Sequence, residues 1–97
     1  EPGYYKDGCY GIRCENLVVV REHVADTDDG PPMMAFEALT LAPFDQRLLE
    51  PSLLTPPETD WIDRYHEQVC RELSPRVQEQ DAAWLRQATR PLLSVNR

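Results

Sequence analysis

Ninety-seven residues allow one domain at most, and a chain this short removes only about two-thirds of its unfolded-state surface from water, too little for a large core around a deep cleft. Seventeen acidic residues against ten basic ones give a net charge of −7, so a polyphosphate backbone would be repelled and nucleic acid is not an expected partner. The longest aliphatic run, Leu17-Val18-Val19-Val20, falls far short of the roughly 20 residues that span a bilayer, and no membrane partner is expected either.

A hydrophobic content of 41% supports a globular fold, while nine prolines cut the chain into short elements. The chain opens on Glu1-Pro2 with no lead-in to its first motif, which reads as a fragment of a longer protein. Residues 1–11 carry Gly3, Gly8 and Gly11 and the pair Asp7-Gly8, turn chemistry beside a strand start. The β-branched residues of 10–21 predict a strand, with Ile12, Cys14, Asn16 and Val18 on one face and Arg13, Glu15, Leu17 and Val19 on the other. Either the second face is buried and holds two charges that need partners, or the strand enters from solvent with a wet first half.

Residues 22–32 form a polar, acidic hairpin loop. Asp26, Asp28, Asp29 and Glu37 have the outline of a calcium loop, but Pro31 stands where such a loop needs glycine, and that reading fails. Residues 33–44 predict a second strand, antiparallel to the first and ended by Pro43, and 45–54 an irregular connection. Thr55-Pro56-Pro57-Glu58 is a helix start with the makings of a capping box. Trp61, Ile62, Tyr65, Val69 and Leu73 recur at helical spacing and mark a buried face over 55–73. A second helix over 81–90 is expected to bury Trp84, Leu85 and Ala88 and to stop before Pro91. The fold class is therefore α+β.

Nucleophilic catalysis has no visible apparatus: no serine occupies a nucleophile elbow and no glycine loop has phosphate-binding spacing. Cys9, Cys14 and Cys70 are an odd set without framework spacing, read as reduced thiols in a cytoplasmic setting. His66 and Cys70 stand four apart on the first helix, but two ligands without a third make a weak metal site, and packing on a helix flank explains them. His23 reads as a solvated loop residue. What remains is carboxylate chemistry. Glu1 and Glu15 are separated by a glycine-punctuated turn long enough to fold one beside the other, and two carboxylates together repel unless a divalent cation neutralises them. Hard oxygen donors favour Mn, Mg, Fe or Zn, and Arg13 on the face of Glu15 can hold a neighbouring carboxylate.

The run Glu1-Pro-Gly-Tyr-Tyr-Lys-Asp-Gly-Cys-Tyr-Gly-Ile-Arg-Cys-Glu-Asn16 resembles the C-terminal metal-binding segment of Xaa-Pro aminopeptidases (aminopeptidase P) of the pita-bread metallopeptidase superfamily. The likeness continues through Phe36-Glu-Ala-Leu-Thr-Leu-Ala-Pro-Phe44, Ser52-Leu-Leu-Thr55, residues 61–71 and Ala83-Trp-Leu85, as in the C-terminal extension of the long, three-domain members. The resemblance implies catalytic-domain strands over 1–44, an antiparallel hairpin of the pita-bread fold, and a two-helix extension over 45–97. It implies a site of two divalent ions, usually manganese, held by two aspartates, one histidine and two glutamates. Glu1 matches the glutamate ligand that also handles the proton of the attacking water, Glu15 the bridging glutamate, and Arg13 the arginine beside it. The aspartates and histidines belong upstream of this chain.

A parent enzyme is thus expected to hydrolyse the bond between an N-terminal residue and a following proline, acting on peptides with proline second, as a homodimer. This fragment alone is expected to be inactive. A non-enzymatic pita-bread module that binds peptide or protein is the alternative, to be distinguished by whether the upstream ligands are present. Lys6, where acidic residues are common, and Cys9 and Cys14, where small or aliphatic ones are, depart mildly from the pattern.

Overall fold

The computed structural model describes residues 2–23 and 30–92. The chain divides into two compact units, Glu1–Thr40 and Leu41–Arg97.

The first unit is built from two antiparallel hairpins. Strand β1 (Gly3–Lys6) pairs with β2 (Tyr10–Arg13) in a register running from Gly3↔Arg13 to Lys6↔Tyr10. The turn between them closes through the Cys9 N–H, which donates to the Lys6 carbonyl at 3.0 Å. Gly8 makes it possible: its φ of +69° lies in the left-handed region that side chains disfavour. The glycines at 3 and 11 belong to strand rather than turn. A Cβ on Gly11 would come within 2.8 Å of the Tyr5 ring, so glycine there lets the cross-strand tyrosine lie flat on the backbone.

Strand β3 (Val18–His23) pairs with β4 (Met33–Ala38), Val18 facing Ala38 and His23 facing Met33. The Leu39 N–H donates to the Leu17 carbonyl at 2.7 Å and the Leu17 N–H to Thr40 Oγ1 at 2.8 Å, which closes the open end of this hairpin. Arg21 and Glu37 pair across the strands at 2.7 Å. The second strand thus ends at Ala38, short of the expected Phe44. The single strand expected over 10–21 is two strands with different partners, and residues 14–17 leave strand geometry between them. The alternation expected from Arg13 through Val19 therefore does not cross the break. His23 is exposed at the end of β3 rather than in a loop, and Asp26, Asp28 and Asp29 lie outside the described residues.

The second unit begins with an extended segment over 41–45 and two 3-10 turns, Gln46–Leu48 and Pro51–Leu53. Asp45 and Glu50 cap these turns by accepting the N–H of Arg47 and of Ser52. Helix α1 (Pro56–Leu73) starts with the expected capping box: the Thr55 hydroxyl accepts the Glu58 N–H at 3.4 Å and the Glu58 carboxylate accepts the Thr55 N–H at 2.8 Å. A third 3-10 turn, Ser74–Arg76, leads to α2 (Glu79–Ala88).

The core lies in this unit and comprises Ile62, Tyr65, Val69, Ala82, Leu85 and Leu92, with His66 and Thr89 also buried. On α1 the buried positions 62, 65, 66 and 69 form one narrow stripe. Trp61 and Trp84, expected in the core, are 54% and 64% exposed, because Trp61 sits at the edge of the α1 stripe, about 40° beyond Tyr65, and Trp84 sits about 100° off Leu85 on α2. Side chains then clasp the irregular segments. Gln46 donates through Nε2 to the Ala88 and Arg90 carbonyls, and Asp63 accepts the Leu92 N–H at 2.9 Å.

Candidate functional site

The candidate residues stand on the first hairpin. Pairing of Gly3 with Arg13 puts the arginine at the end of the β1–β2 ladder, and the Cys14 N–H extends the ladder by donating to the Pro2 carbonyl at 3.0 Å. Alternation sets Arg13 on the face of Gly11 and Tyr5. Glu15 follows just past the end of β2, and Arg13 Nε reaches its Oε1 at 3.2 Å.

The side chains of Arg13 and Glu15 are 52% and 43% exposed in this chain. An ion pair this open contributes about 0–1 kcal/mol to stability, so its effect is to orient rather than to hold the fold. Nε is one of five N–H donors on the planar guanidinium; the others remain able to engage a second carboxylate or a polarised carbonyl. Of the expected ligands, Glu15 is thus placed, with Arg13 beside it. Glu1 lies outside the described residues.

A dinuclear site tests this donor set directly. Glu15 is a hard, anionic oxygen donor free of hydrophobic cover and suits a divalent ion. Among the described residues, however, no group of three or more His, Cys, Asp or Glu side chains could hold a metal ion. Glu15 offers a single carboxylate donor.

The other metal candidate dissolves. His66 is fully buried within the stripe of α1, not on its flank, and its Nε2 accepts the Phe44 N–H at 3.0 Å. Cys70 Sγ stands 3.5 Å from Ser74 Oγ, and hydrogen bonds to Ser74 and Thr89 hold the thiol below its ordinary range. Among the described residues no third His, Cys, Asp or Glu joins these two to hold an ion.

With this geometry in place, comparison with known proteins is informative. Residues 32–92 match the family model described as the C-terminal region of peptidase M24. The chain is 44% identical over 95 residues to a probable Xaa-Pro aminopeptidase P of Arthroderma benhamiae, an alignment covering 95% of this chain and 14% of that protein. It is also 44% identical over 101 residues to aminopeptidase P1 of Lotus japonicus, with the same shares covered. Among solved structures it resembles the X-prolyl aminopeptidase of Caenorhabditis elegans, described as a cytosolic enzyme with a di-nuclear active site. That likeness has a TM-score of 0.80 and 32% identity and covers 93% of this chain and 15% of that one. The chain therefore spans about one-seventh of the length of the relatives it matches.

Proposed function

The chain belongs to the family of peptidase M24 C-terminal regions, and on that premise we propose that it is the C-terminal part of a dinuclear-metal Xaa-Pro aminopeptidase. The observation that carries the reading is the Arg13–Glu15 ion pair at the end of the first hairpin. Glu1 and Glu15 are the two carboxylate ligands supplied from this chain, and the remaining ligands come from the parent upstream of it. The ion pair that Arg13 makes with Glu15 beside the end of the β1–β2 ladder supports the role given to Glu15.

Bound divalent ions, manganese in this reading, supply the Lewis acidity that polarises the scissile carbonyl. The residues of this chain do the rest of their share as follows. Glu15 would hold the ions through its carboxylate, and Arg13 would orient that carboxylate while neutralising part of its charge. Glu1 holds and passes on the proton of the attacking water. In this reading 1–44 come from the catalytic domain and 45–97 form a helical extension, with 41–44 packed in the compact unit Leu41–Arg97. The substrates are peptides with proline second, the parent is a homodimer, and its setting is cytoplasmic, as for the relative from Caenorhabditis elegans.

The test is to express the parent and measure release of the first residue from an Arg-Pro-Pro peptide with and without chelator. Chelator-sensitive release is expected from the parent and none from residues 1–97 alone. An inactive parent in which the upstream aspartates and histidine are replaced would instead favour a peptide- or protein-binding module.

A further inference from the structure

Independently of that chemistry, the helical unit contains a buried imidazole with a single hydrogen-bond partner. His66 has no exposed surface. Its Nε2 accepts the Phe44 backbone N–H at 3.0 Å, so that nitrogen carries no proton and the neutral ring holds its proton on Nδ1. Nδ1 has no hydrogen-bond partner among the described residues. Phe44 lies in the extended segment 41–45, which has no partner strand. Side chains of α1 take the place of one. The Tyr65 hydroxyl donates to the Ala42 carbonyl at 3.1 Å and accepts the Ala42 N–H at 3.3 Å, and His66 binds two residues further along. The Phe44 ring packs on both, at 5.4 Å from Tyr65 and 6.0 Å from His66.

We infer that His66 is a proton-controlled latch, which holds segment 41–45 on α1 when neutral and releases it when protonated. A proton on Nε2 removes the acceptor of the Phe44 N–H and meets it with a second donor. It also places a charge in a site lined by Phe44 and Tyr65. α1 carries Asp60, Asp63, Arg64, Tyr65, Glu67, Cys70, Arg71 and Glu72 around the ring's position, the segment ends at Asp45 beside Arg47, and α2 and its end carry Glu79, Asp81, Arg86 and Arg90. Of these, Asp63 acts on the ring and favours its protonation, but its carboxylate is engaged by the Leu92 N–H, and desolvation outweighs it. The ring's affinity for a proton is thereby held below that of an ordinary imidazole. The sign follows: with a folded value below the unfolded one, the latch is complete above the unfolded value of 6.5 and is lost as pH falls through the folded value.

Hydrogen exchange on the full-length parent, read by mass spectrometry on the peptide spanning 41–45 and corrected for intrinsic rates, tests the latch. Protection is expected to fall about tenfold for each pH unit below roughly 6.5 until it levels off at the folded value. His66→Gln, whose amide oxygen can accept the Phe44 N–H but cannot titrate, should remove the pH step. Tyr65→Phe, which loses the Ala42 bonds and leaves the imidazole in place, should lower protection at every pH and keep the step. Equal protection of the wild-type peptide at pH of about 7.5 and about 5, or the same pH step in His66→Gln, would overturn the proposal. Neither result bears on the aminopeptidase reading, which the peptide-cleavage assay decides separately.

Discussion

Glu15 and Arg13 lie two residues apart at the end of β2 and contribute in different ways. In the parent, Glu15→Gln is expected to abolish turnover, because a neutral amide cannot bridge two cations as an anion does, and metal content should fall with it. Arg13→Lys should be intermediate. It keeps the charge but replaces the planar fork with a point charge, so the Nε contact to Glu15 at 3.2 Å cannot be reproduced in the same geometry. Metal analysis and kcat/KM measured together separate the two effects; near-normal values of both for Glu15→Gln would remove that residue from the site. The openness of the pair also means that neither substitution should unfold the hairpin, so lost activity can be read as lost chemistry.

At the scale of elements, the stability of α1 begins at Thr55. Both halves of its capping box are formed, and Thr55→Ala removes the acceptor of the Glu58 N–H. A loss of about 1 kcal/mol in the unfolding free energy of the helical unit is expected, measurable by urea titration. A change within error would show that the helix start is held by tertiary contacts instead. The hairpins have no comparable anchor. Every residue of β1 and β2 is exposed, and on β3–β4 the cross-strand pairs Val18–Ala38 and Val20–Phe36 share a face on which Phe36 is 76% exposed. Two-stranded ribbons are marginal in water by themselves, so these strands need the rest of a sheet or a helix to cover them.

For the whole molecule, the helical unit carries no candidate ligand, yet it displays Trp61 and Trp84. Trp61 stacks on Tyr65 with centroids 5.6 Å apart and is 54% exposed. Exposed indoles of this size are characteristic of partner surfaces. Deleting 58–97 from the parent is expected to give a folded monomer, as judged by mass in solution; an intact dimer would refute a role for this unit in assembly.

The elements that local chemistry specifies were legible in the sequence. The helix over 55–73 declared itself through its cap and its 3.6-residue period, and the antiparallel partnership of 18–23 with 33–38 through β-branched and apolar residues on either side of a polar loop. What escaped depended on contacts remote in sequence. Gly3 and Gly11 looked like turn residues because nothing local announces that a tyrosine will lie across them. The strand over 10–21 looked continuous because β-propensity does not say which neighbour each half will pair with. Trp61 and His66 exchanged their expected places because a periodic pattern defines the direction of a stripe but not its edges. Those edges are set by how much of α1 the segment 41–45, α2 and Leu92 can cover, and that is decided only when these pieces, more than 20 residues apart in sequence, pack together.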